Sequence, residues 1–236
     1  MKLAVAQPRV QANAVPDNVT AHANLVRRSG ARVIVFPELS LTGYELDAPA
    51  LSPDSPALDP LVLACARTNT IALVGAPLRR RSGDYSIAML QIDGTGAVVA
   101  YEKLFLGAEE CARFTPGTAP AVLAVDGFRL GLGICKDFNT DEHAARTCSL
   151  QIDAYVCGVV KHDHERGTME ARAVELARQH RFAVAIASCA GSTGGGFSRT
   201  AGHSAIWDRS GALLCSAGPA PGEFVAAELS PTSPRV

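Results

Sequence analysis

Three short apolar runs constrain this chain most: Val33-Ile34-Val35-Phe36, Val98-Val99-Ala100-Tyr101 and Leu130-Gly131-Leu132-Gly133-Ile134. Each is too short for an amphipathic helix, so each reads as a buried strand. Just beyond their ends stand Glu38, Lys103 and Cys135. In α/β folds ligands bind outside the carboxyl ends of strands, where the strand fixes a residue and the following loop leaves room for substrate. A carboxylate, an ammonium and a thiol are therefore expected at one rim, with Cys135 a candidate nucleophile.

The rest of the chain interleaves strand and helix signals without a linker, repeat or low-complexity tract, so residues 1–236 read as one domain. A strand at Lys2 to Gln7 precedes a helix that starts with Pro16-Asp17-Asn18 and runs to Ser29, with Gly30 as a left-handed stop. Pro53 to Pro60 opens a second helix, and Ile71 to Gly75 resumes the sheet. From Tyr85 to Ile134 the segments are joined by Asp93-Gly94, Gly96 and Asp126-Gly127, turn residues that tolerate positive φ, which predicts antiparallel pairing. After Cys135 come a helix near Asp141 to Ser149, a buried strand at Ala154 to Val160, a helix at Thr168 to Arg181 and a strand at Phe182 to Ser188. Two strands flank a turn at Asp208 to Gly211, and Glu223 to Leu229 forms the last. Apolar Ala173, Val174, Leu176 and Ala177 give the Thr168 helix a covering face. Parallel ends around an antiparallel middle imply an α/β fold: two mixed β-sheets packed together, with helices outside, a four-layer α-β-β-α sandwich.

Composition narrows the function classes. A hydrophobic content of 47% suits a globular core, and a net charge of −1 argues against a polyanion binder, so nucleic acid is not an expected partner. No apolar run is long enough to span a membrane, and the N-terminal apolar stretch is too short for a secretion signal, which leaves the cytoplasm as the default location. Seven cysteines, an odd number with no CxxC pair, fit a reduced compartment and buried thiols.

Each candidate has an ordinary reading beside the chemical one. Cys135 could pack as a small hydrophobe, Glu38 could be an exposed loop acid and Lys103 a solvated lysine. A carboxylate desolvated beside a thiol has its pKa raised, which brings proton transfer within reach. A buried lysine could lower the thiol pKa and later stabilise an oxyanion, with Glu110 holding the ammonium in place.

The wording around these residues is more specific than any one of them. Phe36-Pro37-Glu38-Leu39-Ser40-Leu41-Thr42-Gly43-Tyr44, Tyr101-Glu102-Lys103-Leu104 and Gly131-Leu132-Gly133-Ile134-Cys135-Lys136-Asp137 closely resemble the three signature blocks of the nitrilase (carbon-nitrogen hydrolase) superfamily, in the same order. Glu110, followed by Phe114-Thr115-Pro116-Gly117, looks like that family's second glutamate and its FxPG element. Gly202-His203-Ser204-Ala205-Ile206-Trp207-Asp208 through Gly211 is similar to its late GxSxIxDxxG hairpin, so the resemblance covers almost the whole chain. Two departures stand near the substrate: Lys136 where the family commonly has an aromatic residue, and Thr140-Asp141-Glu142 in place of Phe-Pro-Glu.

The resemblance implies hydrolysis of a non-peptide carbon-nitrogen bond in a small amide or carbamoyl compound. Cys135 would form a thioester, Glu38 would act as base and acid, Lys103 and the backbone N–H of Lys136 would hold the oxyanion, and Glu110 would orient Lys103. It also implies no cofactor and no metal, water as co-substrate, and a homodimer or larger homo-oligomer. A nitrilase, an amine acyltransferase on the same site and a non-catalytic binding protein are the rival readings. His162-Asp163-His164-Glu165 lacks the helical spacing of a zinc site, leaving it a possible lining of the pocket. Gly191 to Gly196 lacks the lysine of a phosphate loop, since Phe197 follows, and reads as a mobile loop. Gly131 and Gly133 do not continue into a dinucleotide fingerprint, because Lys136 occupies its last glycine position. Arg79-Arg80-Arg81 reads as a solvated hairpin tip.

Overall fold

In the computed structural model, which describes residues 1–231, the chain begins with β1 (Lys2–Gln7), α1 (Val15–Ser29) and β2 (Val33–Val35). There follow α2 (Asp59–Thr68), β3 (Ile71–Arg79), β4 (Tyr85–Asp93) and β5 (Gly96–Glu102). The second half has β6 (Val122–Val125), β7 (Phe128–Ile134), α3 (Asp141–Cys148), β8 (Ala154–Val159), α4 (Arg166–His180) and β9 (Ala183–Ser188). It closes with β10 (Ala190–Gly191), β11 (Thr200–Ala201), β12 (Ala205–Trp207), β13 (Leu213–Ser216) and β14 (Glu223–Glu228).

Helix α1 starts and stops where the sequence predicts, with Gly30 left-handed at φ 54°. Asn18 does not cap it, however. Its side chain accepts from the Gln11 N–H and donates to the Gln11 and Leu41 carbonyls, fastening the loop before the helix to the turn that follows Glu38. The second helix begins later than its prolines suggest, because a 3-10 turn at Pro56–Leu58 precedes α2.

Two six-stranded sheets form, in the orders β14-β1-β2-β3-β4-β5 and β13-β12-β9-β8-β7-β6. The expected antiparallel middle is present in β3-β4-β5 and in β6-β7, but these pairs belong to different sheets and β7 also runs parallel to β8. The chain changes sheets in the loop after β5, which carries Lys103 and Glu110. Apolar side chains fill three layers. One cluster, including Val35, Leu73, Leu132 and Val156, lies between the sheets. A second packs α1 and α2 on the first sheet through Val19, Leu25, Leu61 and Ala72, and a third packs α3 and α4 on the other through Ala144, Ala173, Leu176 and Tyr155. The result is the four-layer sandwich. Strands β2, β8 and β9 are buried along their whole length, which is why they read as continuous apolar runs and not as alternations. In α4 the covering face uses Met169, Ala173, Leu176 and Ala177, with Val174 only half-buried. No helix among the described residues is long and apolar enough to cross a membrane.

The segment after β2 is threaded between the sheets at two glycines. A β-carbon on Gly75 of β3 would stand 2.5 Å from the Pro37 oxygen, and one on Gly158 of β8 would stand 2.5 Å from the Phe36 oxygen and 3.0 Å from the Glu38 nitrogen. Only hydrogen fits at either place, and the backbone of Glu38 is thereby held from both sides. Gly158→Ala is expected to cost about 1–3 kcal/mol, the usual penalty for overpacking a filled core. Gly167→Ala, on α4 with open space around it, is expected to leave the melting temperature unchanged or slightly raised. Thermal denaturation of the two variants side by side checks this, and equal melting temperatures would contradict it.

Candidate active site

Strands β2 and β5 run the same way, since β2 and β3 pair in parallel and two antiparallel steps connect β3 to β5, while β7 belongs to the other sheet. Glu38 lies three residues beyond β2, Lys103 directly follows β5, and Cys135 directly follows β7. The ladder between β4 and β5 shifts register at Met89/Leu90, so that Ala100 is an extra residue. A bulge bends its strand and increases the local twist, here three residues before Lys103.

The three predicted residues meet, and Glu110 joins them. The Lys103 ammonium donates to Glu38 Oε1 at 2.6 Å and to Glu110 Oε1 and Oε2, each at 2.7 Å. All three of its protons are thus directed at carboxylate oxygens. Lys103, Glu38 and Glu110 are each about 1% exposed, so the ordinary readings of a solvated lysine and a loop acid do not apply. Glu110 receives two further donors, the Tyr44 hydroxyl at 2.7 Å and the Gly107 N–H at 2.7 Å. Glu38 Oε2, by contrast, is buried without a conventional partner, and the Cys135 thiol is the side chain that lies within reach of this carboxyl.

Burial pushes the Glu38 pKa up to about 7, against the pull of Lys103, and the nearby Glu110 adds to the rise. Burial also opposes the Lys103 ammonium, but Glu38, Cys135 and Glu110 outweigh it and its pKa is raised. The thiol departs from the expectation that lysine would lower its pKa. Burial and the Glu38 charge together push Cys135 up to about 12, with Lys103 and Lys161 pulling only partly the other way. At neutral pH the thiol therefore keeps its proton, while Glu38 is partly ionised.

Cys135 opens a 3-10 turn, Cys135–Asn139, with its own φ at +44°. A non-glycine residue held there costs on the order of 1–3 kcal/mol. Its thiol donates to the Val160 carbonyl at 3.5 Å. The N–H of Lys136, in the first turn, has no acceptor within the helix, and the Lys136 ammonium is turned away to the Leu106 carbonyl at 2.7 Å.

Other expectations change. Of the seven cysteines only Cys65, Cys157 and Cys189 are buried, Cys111 is exposed and the rest are intermediate. Arg80 is not a solvated tip residue: it pairs with Glu102 at 2.8 Å, which also accepts from Ser86 at 2.6 Å. The Gly191 to Gly196 segment is tied down. Thr193 accepts from the Tyr44 N–H, the Gly195 N–H donates to Glu45, and the Phe197 ring stacks on His162 at 4.3 Å and meets Tyr44 edge-on at 4.9 Å. His162 and His164 are stacked at 5.3 Å, and among the described residues no group of three metal-ligating side chains is found. Tyr44 was within reach of sequence reasoning only as a member of the Phe36 to Tyr44 block. Its bond to Glu110 spans 66 residues, and no spacing rule announces it.

Comparison with known proteins agrees with this architecture. A mutant of the amidase from Nesterenkonia sp. AN1, determined with the product of Michael addition of acrylamide at its active-site cysteine, superposes with a TM-score of 0.83 at 22% identity, over 98% of this chain and 93% of that one. Nit3 from Saccharomyces cerevisiae, a member of branch 10 of the nitrilase superfamily, gives 0.86 at 19% identity, over 98% and 90%. At these identities the likeness establishes the fold. A curated relative, the hydrolase in the pqqF 5' region of Pseudomonas protegens, is 29% identical over 133 residues, 53% of this chain and 47% of the relative, so the match spans about half of that protein. Residues 2–233 match the carbon-nitrogen hydrolase family, and the chain belongs to it.

Proposed function

We propose that the chain hydrolyses the carbon-nitrogen bond of a small amide or carbamoyl compound through a thioester on Cys135. The observation that carries this reading is the buried Lys103 ammonium, held by Glu38 and Glu110 beside a thiol that faces Glu38. The amidase with acrylamide on its active-site cysteine supports it by analogy.

As the Cys135 sulfur attacks the carbonyl carbon, its proton passes to Glu38 and the C=O electron pair becomes an oxyanion. Because the thiol pKa lies well above that of Glu38, the transfer accompanies attack and does not precede it. Lys103 and the N–H of Lys136 stabilise the oxyanion. Lys103 has no idle proton, so one of its two bonds to Glu110 is exchanged for the substrate oxygen; Glu110 keeps the Tyr44 and Gly107 donors meanwhile. Collapse breaks the C–N bond, and the nitrogen leaves with the proton that Glu38 held. Water then attacks the thioester, giving its proton to Glu38, which returns it to sulfur as the C–S bond breaks.

Cys135→Ala is expected to abolish turnover of a small-amide panel while keeping the wild-type circular dichroism spectrum; activity surviving in it would remove the assignment. The pH profile follows from Glu38. Its carboxylate form is required and its pKa lies near 7, so kcat/KM should rise with pH through about 7 and then level off. Glu38→Gln should lose on the order of 10²-fold or more in kcat, the range for a general base. The same group sets a stability slope. A carboxyl raised from 4.5 to about 7 in the fold binds its proton more tightly when folded, so it contributes stability below pH 4.5 that is lost as pH rises through about 7. Glu38→Gln lacks that slope, so its melting temperature should fall less than that of wild type between pH 5 and pH 8.

A further inference from the structure

Behind the Cys135 turn lies a chain of buried polar side chains for which the reaction above has no use. Asp137, two residues after Cys135, accepts from the Ile134 N–H at 3.0 Å on one oxygen and from the Phe105 N–H at 2.9 Å on the other. It thus joins the strand end that carries the thiol to the loop that carries Lys103. The Tyr101 hydroxyl donates to Asp137 Oδ2 at 2.7 Å and accepts from the Leu104 N–H at 3.2 Å. The same hydroxyl lies 2.9 Å from His143 Nε2, and the Tyr155 hydroxyl lies 3.0 Å from His143 Nδ1. Asp137, His143 and Tyr155 have no solvent exposure, and Tyr101 has 3%.

Counting protons fixes the direction of this chain. A phenol has one proton, and that of Tyr101 goes to Asp137, so the contact with His143 must be donated by the imidazole. His143 is then the Nε2–H tautomer, and Nδ1 accepts the Tyr155 proton. Burial holds the ring below the ordinary histidine value, against the attraction of Asp137, so it is neutral at neutral pH and has one proton to give. The arrangement is complete: every group gives or takes the bond its neighbour requires. Gly133 leaves the space for it, since a β-carbon there would come within 2.1 Å of the Tyr155 oxygen.

We propose that His143 is a positioning residue, which sets the Tyr101 hydroxyl toward Asp137 and so holds the Cys135 turn in register with Lys103. The proposal rests on the reading of Cys135 as the nucleophile. Without the imidazole, Tyr101 loses a donor and the Asp137 carboxyl gains rotational freedom, while the left-handed Cys135 turn must still be kept in place. Loss should fall on the chemical step more than on substrate binding.

The test compares wild type with His143→Leu, His143→Gln and Tyr101→Phe. Alkylation by iodoacetamide at each cysteine is followed by mass spectrometry over pH 6 to 9, with circular dichroism for the fold. Exposed Cys111 is the internal reference, and buried Cys157 reports loosening of the core. The expected result is a Cys135 rate at least tenfold below wild type in His143→Leu, unchanged rates at Cys111 and Cys157, the same slowing in Tyr101→Phe, and recovery of most of the rate in His143→Gln, whose amide can both donate and accept. A folded His143→Leu that alkylates at Cys135 as fast as wild type overturns the proposal, as does faster labelling of Cys157 together with Cys135, the mark of a merely structural role. If His143→Leu does not fold, Tyr101→Phe decides, and a wild-type rate at Cys135 there overturns it too. A wild-type Cys135 no faster than buried Cys157 instead sinks the nucleophile reading, and this inference with it.

Discussion

A lysine ammonium buried between two carboxylates is the interaction on which this structure depends. Removing one partner from a buried ion pair typically costs about 3–5 kcal/mol, because the charge that remains cannot reach water. Lys103 meets that demand with three short contacts, and both carboxylates find in it their only described ion-pair partner. The fold supplies the three groups from three places: a turn pinned between Gly75 and Gly158, the end of a bulged strand, and a loop that crosses from one sheet to the other. The charges do not balance, since two carboxylates face one ammonium. Burial lifts Glu38 toward neutrality, the excess adds to that rise, and the carboxyl is left poised to take a proton.

Burial, together with the same excess, keeps Cys135 protonated. A neighbouring cation is the usual reason to expect a reactive thiolate, and sequence alone invites that expectation here. The structure places Glu38 close enough that its charge, with burial, outweighs Lys103. In the proposed reaction the proton therefore moves during attack, and no thiolate is stored beforehand to stand exposed to oxidation.

The parts of this arrangement that were legible in the sequence share a cause. Val33 to Phe36 and Leu130 to Ile134 are apolar without alternation because they lie between a neighbouring sheet and covering helices, and burial on both faces leaves a mark in residue type. Glu38, Lys103 and Cys135 interrupt that pattern at strand ends, so their placement could be read. Loop contacts leave no such mark. Nothing in the spacing of Tyr44 and Glu110, or of Gly195 and Glu45, shows that these pairs touch. The supposed mobile loop is held by a carbonyl, an N–H and a stacked ring, features common to any sequence. His143 was hidden for another reason: its partners Tyr101 and Tyr155 come from two separate strands, and a histidine in a helix has no periodic signature of its own.

The pairing of β14 with β1 has a consequence for how the molecule comes into being. Lys2 lies opposite Glu228, and Gln7 opposite Glu223, while the Gln7 side chain bonds to Ser204, Gly218 and Ala220. During synthesis the first strand therefore waits on one edge for a neighbour translated more than two hundred residues later. Contacts so distant in sequence carry a large closure entropy and form slowly. The edge that the most distant pairing closes belongs to the sheet whose β2 and β5 lead into Glu38 and Lys103, two strands and five strands from β14.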